Sequence, residues 1–254
     1  MSRFVTRFFG AAMMAAAIFA TLGSGPATAQ TFDPSEKAAI DAQIRAYILE
    51  NPEVLLEAMQ VLEQRQQAEA AVADRELLSS LSSEILNDGY SHVAGNPNGD
   101  VTVVEFSDYR CGFCKRAHDG IKALLSADKN VRLVIKEFPI LGPDSTFAAR
   151  AAMAAKLQGD EVYMTYNDAL MRFQGELNQR AVIGVAQNVG IDVERLQNDM
   201  ERPEIAANIR QTYTLARQLE INGTPGFIVG DQIVRGFLTY DQLREVVENA
   251  REQG

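Results

Sequence analysis

Cysteine and histidine are scarce in this sequence, which has two of each among 254 residues. Both cysteines lie in one short segment, Cys111-Gly112-Phe113-Cys114, so no framework of structural disulfides is possible. Cysteines that cross-link an exported chain are spread along it, whereas one close pair suits disulfide exchange or metal capture. The scarcity of cysteine therefore makes Cys111 and Cys114 the first candidates for chemistry.

Positive charge is also sparse. The 24 Lys and Arg residues are outnumbered by 34 Asp and Glu, the formal net charge is −10, and no basic cluster stands out. A surface for nucleic acid or anionic lipid needs such a cluster, so we expect neither partner. No segment after residue 30 approaches the ~20 consecutive apolar residues that a membrane span requires.

The N-terminus has the pattern of an export signal. Arg3 and Arg7 precede an apolar run over residues 8–22, and Ala27-Thr28-Ala29 forms a small-x-small cleavage site. We predict a signal peptide over residues 1–29, with the mature chain beginning near Gln30. No cysteine follows the run, so a lipid anchor has no attachment residue. The mature protein is expected in the periplasm, which permits disulfides.

Residues 30–90 are predicted to be helical and separate from the catalytic part. Ile40, Ile44 and Tyr47 have helical spacing, and Asn51-Pro52 is typical of an N-cap and first-turn proline of a second helix. The Gln, Glu and Ala-rich stretch over residues 64–76 has little to bury. Such a helix is usually a solvated connector or an oligomerisation stalk.

An α/β domain is predicted to start after a dense turn cluster over residues 95–100. A buried strand over residues 101–106, a helix opened by the cysteine pair and a strand around Leu133 form a parallel βαβ unit. Residues 144–219 have helical patterns only, and a hairpin and a last helix follow. We therefore assign residues 97–143 and 220–254 to the α/β domain and residues 144–219 to an all-helical insertion.

The position of the cysteine pair predicts a division of roles. A thiolate at the first turn of a helix is stabilised by free backbone N–H groups and the helix dipole, and Lys115 and Arg116 add nearby positive charge. Cys111 is therefore the expected nucleophile, at an exposed position. Cys114, one turn further in, is placed to attack the mixed disulfide and release the product. Phe113 is expected to be an exposed apolar contact.

The segments EFSDYRCGFCK at residues 105–115 and GTPG at residues 223–226 resemble the DsbA-like branch of the thioredoxin superfamily, with its helical insertion. The resemblance covers residues 97–254. It implies a thioredoxin-like fold, a cis peptide bond before Pro225, and a Thr224 backbone that runs antiparallel to a bound substrate. It also implies cysteine-containing client proteins, a membrane redox partner that resets the pair, and no cofactor.

The resemblance further implies roles for two charged residues. Glu105 matches a buried acid beside the inner cysteine, and Lys136 resembles its basic partner. A charged residue in an apolar strand is costly to bury unless it is paired or protonated, which suits a proton relay for Cys114. The alternative is that Glu105 points outward from an edge strand.

The direction of the chemistry is suggested by three residues. Gly112, Phe113 and Thr224 resemble the isomerase branch and the ScsC copper-tolerance proteins rather than DsbA itself. ScsC-like proteins place a helical stalk before the catalytic domain, which implies a homo-oligomer, with a trimer favoured. Three alternatives are a monomeric dithiol oxidase, a protein that binds Cu(I) through its two thiolates, and a pure scaffold, which ranks last. Cys111, Cys114 and His118 together would supply only three ligands, which is incomplete for a structural zinc site.

Overall fold

The computed structural model describes residues 33–253, so the predicted signal peptide lies outside the described residues. The chain divides into two compact units, Met1–Gln60 and Val61–Gly254. No helix in the described part combines the length and the apolar character that crossing a membrane requires.

The described part of the first unit is helical. Helix α1 (Pro34–Glu50) opens with a capping box, in which the Asp33 carboxylate accepts the backbone N–H of Glu36 and the Glu36 carboxylate accepts that of Asp33. Asn51 does not cap the second helix as predicted, because its side-chain amide donates to the Tyr47 carbonyl at 2.9 Å. Asn51 therefore closes α1. Helix α2 (Glu53–Ser80) begins in this unit and ends in the next.

The second unit is built on a five-stranded mixed sheet in the order β1-β3-β2-β4-β5, in which only β2 and β3 are parallel. Its elements after α2 are α3 (Ser82–Leu86), β1 (His92–Gly95), β2 (Val101–Ser107), α4 (Gly112–Ala127), β3 (Val131–Glu137), α5 (Pro143–Lys156), α6 (Asp160–Arg172), α7 (Gln179–Asn188), α8 (Val193–Met200), α9 (Pro203–Gln218), β4 (Gly226–Val229), β5 (Gln232–Val234) and α10 (Tyr240–Gln253). This is the thioredoxin-like fold with an all-helical insertion, α5 to α9, and the predicted fold class is confirmed.

The two central strands are buried on both faces, as near-continuous apolar sequences predict. On one face, α4 and α10 pack against the sheet through Ile121, Leu124 and Leu243, and most of the insertion belongs to the same core. On the other face, a smaller cluster includes Leu215 and Leu219. The α4 side of the sheet carries the cysteines.

The α/β unit begins earlier in the chain than residue 97, the start that was predicted from the sequence. Leu78 and Ile85, in the segment assigned to the stalk, are buried against the second face of the sheet. Strand β1, which was not predicted, pairs antiparallel with β3 at the edge of the sheet. Four residues are too few to show the period-2 alternation of a strand. The segment is therefore recognised as a strand only through its pairing with β3.

Candidate active site

The loop after β2 positions Cys111 at the start of α4. The Asp108 carboxylate accepts the backbone N–H of Arg110 at 2.8 Å and of Leu141 at 3.0 Å, and the hydroxyl of Ser145 at 2.8 Å. These bonds tie the loop to the start of the insertion. Cys111 is the N-cap residue of α4 and has an extended backbone, so its sulfur lies beside the first-turn N–H groups of Phe113 and Cys114.

The loop before β4 lies directly against Cys111. The Cys111 sulfur lies 3.1 Å from the Thr224 carbonyl oxygen, to which it donates when it is protonated, although the two residues are far apart in the sequence. The Thr224–Pro225 peptide bond is cis, as the resemblance implied. Cys111 is only 7% exposed because this loop covers it, so the prediction of an exposed position was wrong.

The two thiols have opposite protonation tendencies. The pKa of Cys111 lies well below its ordinary value, chiefly because the Cys114 thiol donates a hydrogen bond to its thiolate, with help from the Thr224 hydroxyl and the backbone N–H groups of Cys114 and Phe113. The same bond to Cys111, together with full burial, raises the pKa of Cys114. The pair is therefore a reactive thiolate beside a protonated thiol.

The neighbouring cations are engaged elsewhere, which corrects the expectation that they lie at the sulfur. The Lys115 ammonium donates to the Phe173 carbonyl at 2.7 Å, at the end of α6. The Arg116 guanidinium lies over the rings of Phe113 and Phe237, at 4.2 and 5.6 Å from their centroids. The thiolate is thus stabilised foremost by hydrogen bonds rather than by ion pairs.

Beside the sulfur, the dipeptide of the motif faces outward. Phe113 is 52% exposed and its ring lies 5.9 Å from that of Phe237. Gly112 is exposed, and a Cβ atom there would meet nothing within 4 Å. Together with Thr224, these residues form an open, partly aromatic surface around Cys111.

Glu105 is buried in the centre of the sheet, since β2 lies between β3 and β4. The alternative of an outward-facing residue on an edge strand is therefore excluded. Burial raises the pKa of Glu105 to about 7, and the charge of Cys111 acts in the same direction. Its Oε1 atom has no hydrogen-bond partner among residues 33–253, and its charge raises the pKa of Cys114.

Lys136 is not the partner of Glu105. In the register of β2 and β3 it lies opposite Phe106, one residue beyond Glu105, and successive side chains of a strand point to opposite faces. The Lys136 ammonium instead bonds to the Asp88 carboxylate at 2.6 Å and to the Glu84 carbonyl at 2.7 Å. It anchors the segment around α3 to the second face of the sheet.

A second buried acid, Glu137 at the end of β3, was not among the site residues predicted from the sequence. Its Oε1 atom accepts the hydroxyls of Tyr109 at 2.7 Å and Tyr163 at 2.8 Å. The sequence feature that pointed to Glu105, an acid within an apolar strand, would also have pointed to Glu137. No sequence feature near Tyr109 or Tyr163 predicts a contact with Glu137, because both have the spacing of ordinary core residues.

His118 is committed to an ion network between α4 and α6. Its Nε2 atom lies 2.8 Å from the Asp168 carboxylate, which also binds Lys122 and Arg172. Burial lowers the pKa of His118. The imidazole therefore uses Nε2 for Asp168 rather than for a metal ion shared with the cysteines.

Family models match two parts of the chain. The DSBA-like thioredoxin domain matches residues 102–248, which include both cysteines, Glu105 and the Thr224–Pro225 peptide. The N-terminal domain of the copper resistance protein ScsC matches residues 36–69, within α1 and α2.

Similar proteins agree with the first match. A thioredoxin-like oxidoreductase from Silicibacter pomeroyi DSS-3 is 49% identical, with a TM-score of 0.65 over 67% of this chain and 97% of that one. Disulfide bond formation protein D of Bacillus subtilis is 25% identical over 166 residues, 61% of this chain and 75% of that protein.

The Na(+)/H(+) antiporter NhaA 1 of Salinispora arenicola is 30% identical over 161 residues, which are 63% of this chain and 24% of the antiporter. This chain therefore spans about a quarter of the length of the antiporters it matches. The DSBA-like match covers more than half of the chain and contains the cysteine pair with its facing loop, so the chain belongs to the family of DSBA-like thioredoxin domain proteins.

Proposed function

We propose that the protein is an exported thiol-disulfide oxidoreductase that exchanges disulfides with client proteins through Cys111 and Cys114. The observation that carries this proposal is the pairing of a low-pKa Cys111 thiolate with a buried, protonated Cys114 under the Thr224 carbonyl. The sequence of residues 1–29 supports export to the periplasm.

The reaction begins when the Cys111 thiolate attacks a client disulfide. A bond forms between Cys111 and one client sulfur, and the other client sulfur leaves as a thiolate. Cys114 then loses its proton to the Glu105 carboxylate and attacks the Cys111 sulfur. The second client thiolate leaves, the client has gained two electrons, and Cys111 and Cys114 form a disulfide. The reverse sequence oxidises a client.

The surface around Cys111 supports a role in binding the client chain. The backbone of the Thr224–Pro225 loop lies beside the Cys111 sulfur. Phe113 and Gly112 are exposed on the side from which a client chain would approach. When the mixed disulfide is instead attacked by another thiol of the same client, the client disulfide is rearranged and Cys111 is released reduced. A membrane redox partner would reset the pair between cycles of net oxidation or reduction.

Isomerase or reductase character, with self-association, is part of the same proposal. Several apolar side chains on α1 and α2 in the first unit are more than 50% exposed, among them Ile44, Tyr47, Leu56 and Met59. An apolar stripe on a helix is normally buried against a partner. The match of this segment to the ScsC N-terminal domain supports a homo-oligomer, with a trimer favoured.

Trapping of mixed disulfides tests the exchange. Cys114→Ser lacks the resolving thiol, so it should accumulate disulfide-linked complexes with clients, which non-reducing gels detect. Cys111→Ser, the matched control, should trap none and should lose exchange activity. The assay is run in chelator-treated buffer, where a protein that works by binding Cu(I) would lose its activity. Normal turnover by Cys111→Ser would refute the proposal.

A further inference from the structure

Glu137 lies on the same face of the sheet as Glu105. In the parallel register of β2 and β3, Glu137 is opposite Ser107, and Glu105 lies two residues before Ser107. Residues two apart on a strand share a face. The two acids therefore lie on neighbouring strands, with Ser107 between them in the register, at the carboxyl ends of the strands that lead to the active site.

Both acids are poorly compensated by cations. Glu105 Oε1 and Ser107 Oγ are buried without a hydrogen-bond partner in residues 33–253. Glu137 receives two hydrogen bonds from neutral tyrosines, and the same part of the chain shows no ion pair between Glu137 and a basic side chain. An uncompensated buried carboxylate is costly, so protonation is favoured.

Other ionisable groups around Glu137 have their own partners. Asp108, on the loop after β2, accepts three hydrogen bonds and raises the pKa of Glu137 by repulsion. His92 on β1 and Lys156 on α5 line a small cavity beside Glu137. His92 bonds to Asp160, and the Lys156 ammonium donates to two backbone carbonyls.

The interaction between the acids extends to the resolving cysteine. The Glu105 charge raises the pKa of Glu137, which burial brings to about 8, and it also raises the pKa of Cys114. Repulsion between two titrating groups is mutual, so each proton added to or removed from one acid changes the affinity of the other. Glu137 is thereby linked to Cys114 through Glu105.

We propose that Glu137 is a positioning residue that forms a coupled carboxyl pair with Glu105 and sets the strength of Glu105 as the base for Cys114. The inference rests on the proposed thiol-disulfide exchange. While Glu137 is protonated, Glu105 is the one ionised acid and accepts the Cys114 proton. Once Glu137 ionises as well, its charge makes Glu105 a stronger base.

Tyr109 gives the pair a structural connection to the nucleophile. The Tyr109 hydroxyl donates to Glu137 and accepts the Asn167 side-chain amide at 3.0 Å, and Tyr109 lies two residues before Cys111. Glu137→Gln retains an oxygen that can accept both tyrosine hydroxyls. The variant therefore removes the ionisation while preserving the hydrogen bonds that hold the loop.

An aromatic disulfide reagent that releases a coloured thiolate separates the two chemical steps. The Cys111 thiolate attacks the reagent and releases the first thiolate. Cys114 then resolves the mixed disulfide and releases the second. In Glu137→Gln we expect an unchanged first step, and a second step that slows by on the order of threefold above pH 8 but not below pH 7, because Glu105 stays a weaker base. Asp199→Asn, which removes a buried acid from α8, is the matched control and should follow the native profile.

The outcomes are distinguishable. If the unaltered protein fails to release the first coloured thiolate, the proposed function is refuted. A native first release with a superimposable second-step profile from pH 6 to 9 would refute the role of Glu137. Should the variant fail to fold, carbon-13 NMR of glutamate carboxyls in the unaltered protein decides the question. Two coupled titrations above pH 6 support the pair, and independent titrations below pH 6 overturn it.

Discussion

At the scale of single residues, identical thiols are given different chemistry by their surroundings. Cys111 lies at the open end of α4, where N–H groups and the Thr224 hydroxyl stabilise its thiolate. Cys114, one turn along the helix, is fully buried and meets the charge of Glu105. The nucleophile and the resolving thiol therefore differ through hydrogen bonding and desolvation.

Thr224→Val tests the contribution of the hydroxyl. Valine has nearly the same shape but cannot donate to the thiolate, so the pKa of Cys111 should rise by about one pH unit, equivalent to about 1.4 kcal/mol. Thiolate absorbance at 240 nm, followed during a pH titration of the reduced protein, measures this value. Thr214→Val, at an exposed position on α9, serves as control. An unchanged titration would show that the Thr224 hydroxyl does not act on the sulfur.

At the scale of elements, the end of α2 and α3 belong to the α/β unit. Leu78 and Ile85 cover the second face of the sheet, and the buried Lys136 holds the same segment through Glu84 and Asp88. Two further ion pairs, Arg75 with Asp231 and Asp74 with Arg235, join α2 to the hairpin of β4 and β5. A catalytic fragment that begins at residue 97 would leave this face uncovered.

Ile85→Ala measures the stability that this segment provides. Ile85 is 2% exposed, so the variant should lose about 2–4 kcal/mol in free energy of unfolding through lost burial and the cavity created. Urea denaturation followed by circular dichroism gives the value. Met59→Ala, at a side chain that is 65% exposed, should cost far less. Equal losses in the two variants would mean that α3 does not pack on the sheet.

At the scale of the whole molecule, the chain combines a redox unit with a helical segment whose apolar residues are uncovered. Leu55, Leu56, Met59 and Leu62 are each at least 50% exposed, and α1 has no buried residue. Exposed apolar side chains in this number indicate an interaction surface. A second copy of the same segment would cover them, and an isomerase would benefit from several active sites on one client.

Replacing these four residues with glutamine tests self-association in the full mature chain. We expect the native protein to be oligomeric at micromolar concentration and the fourfold variant to be monomeric by light scattering, because its apolar surface is removed. The variant should keep its thiol exchange rate per active site but lose most isomerase activity on a scrambled substrate. Alanine at Gln60, Gln64, Gln66 and Gln67 provides the control. A monomeric native chain would favour a simple dithiol oxidase.

The sequence alone determined the features that depend on local pattern. The spacing of apolar residues predicted the helices of the insertion, and the last helix, α10, begins at a capping box of Thr239 and Gln242 that is legible in the sequence. The buried strand followed by Cys111 and Cys114 predicted the βαβ unit, and the GTPG segment completed the resemblance. Each signal lies within a few residues of the element that it specifies.

Only the tertiary structure decided which distant residues meet. The register of β2 and β3 put Lys136 on the face opposite Glu105, and it put Glu137 on the same face. Lys115 donates a hydrogen bond to the Phe173 carbonyl because the fold of the insertion places the end of α6 beside α4. Short local patterns carry no information about these contacts, because strand register and helix packing depend on the simultaneous burial of many side chains.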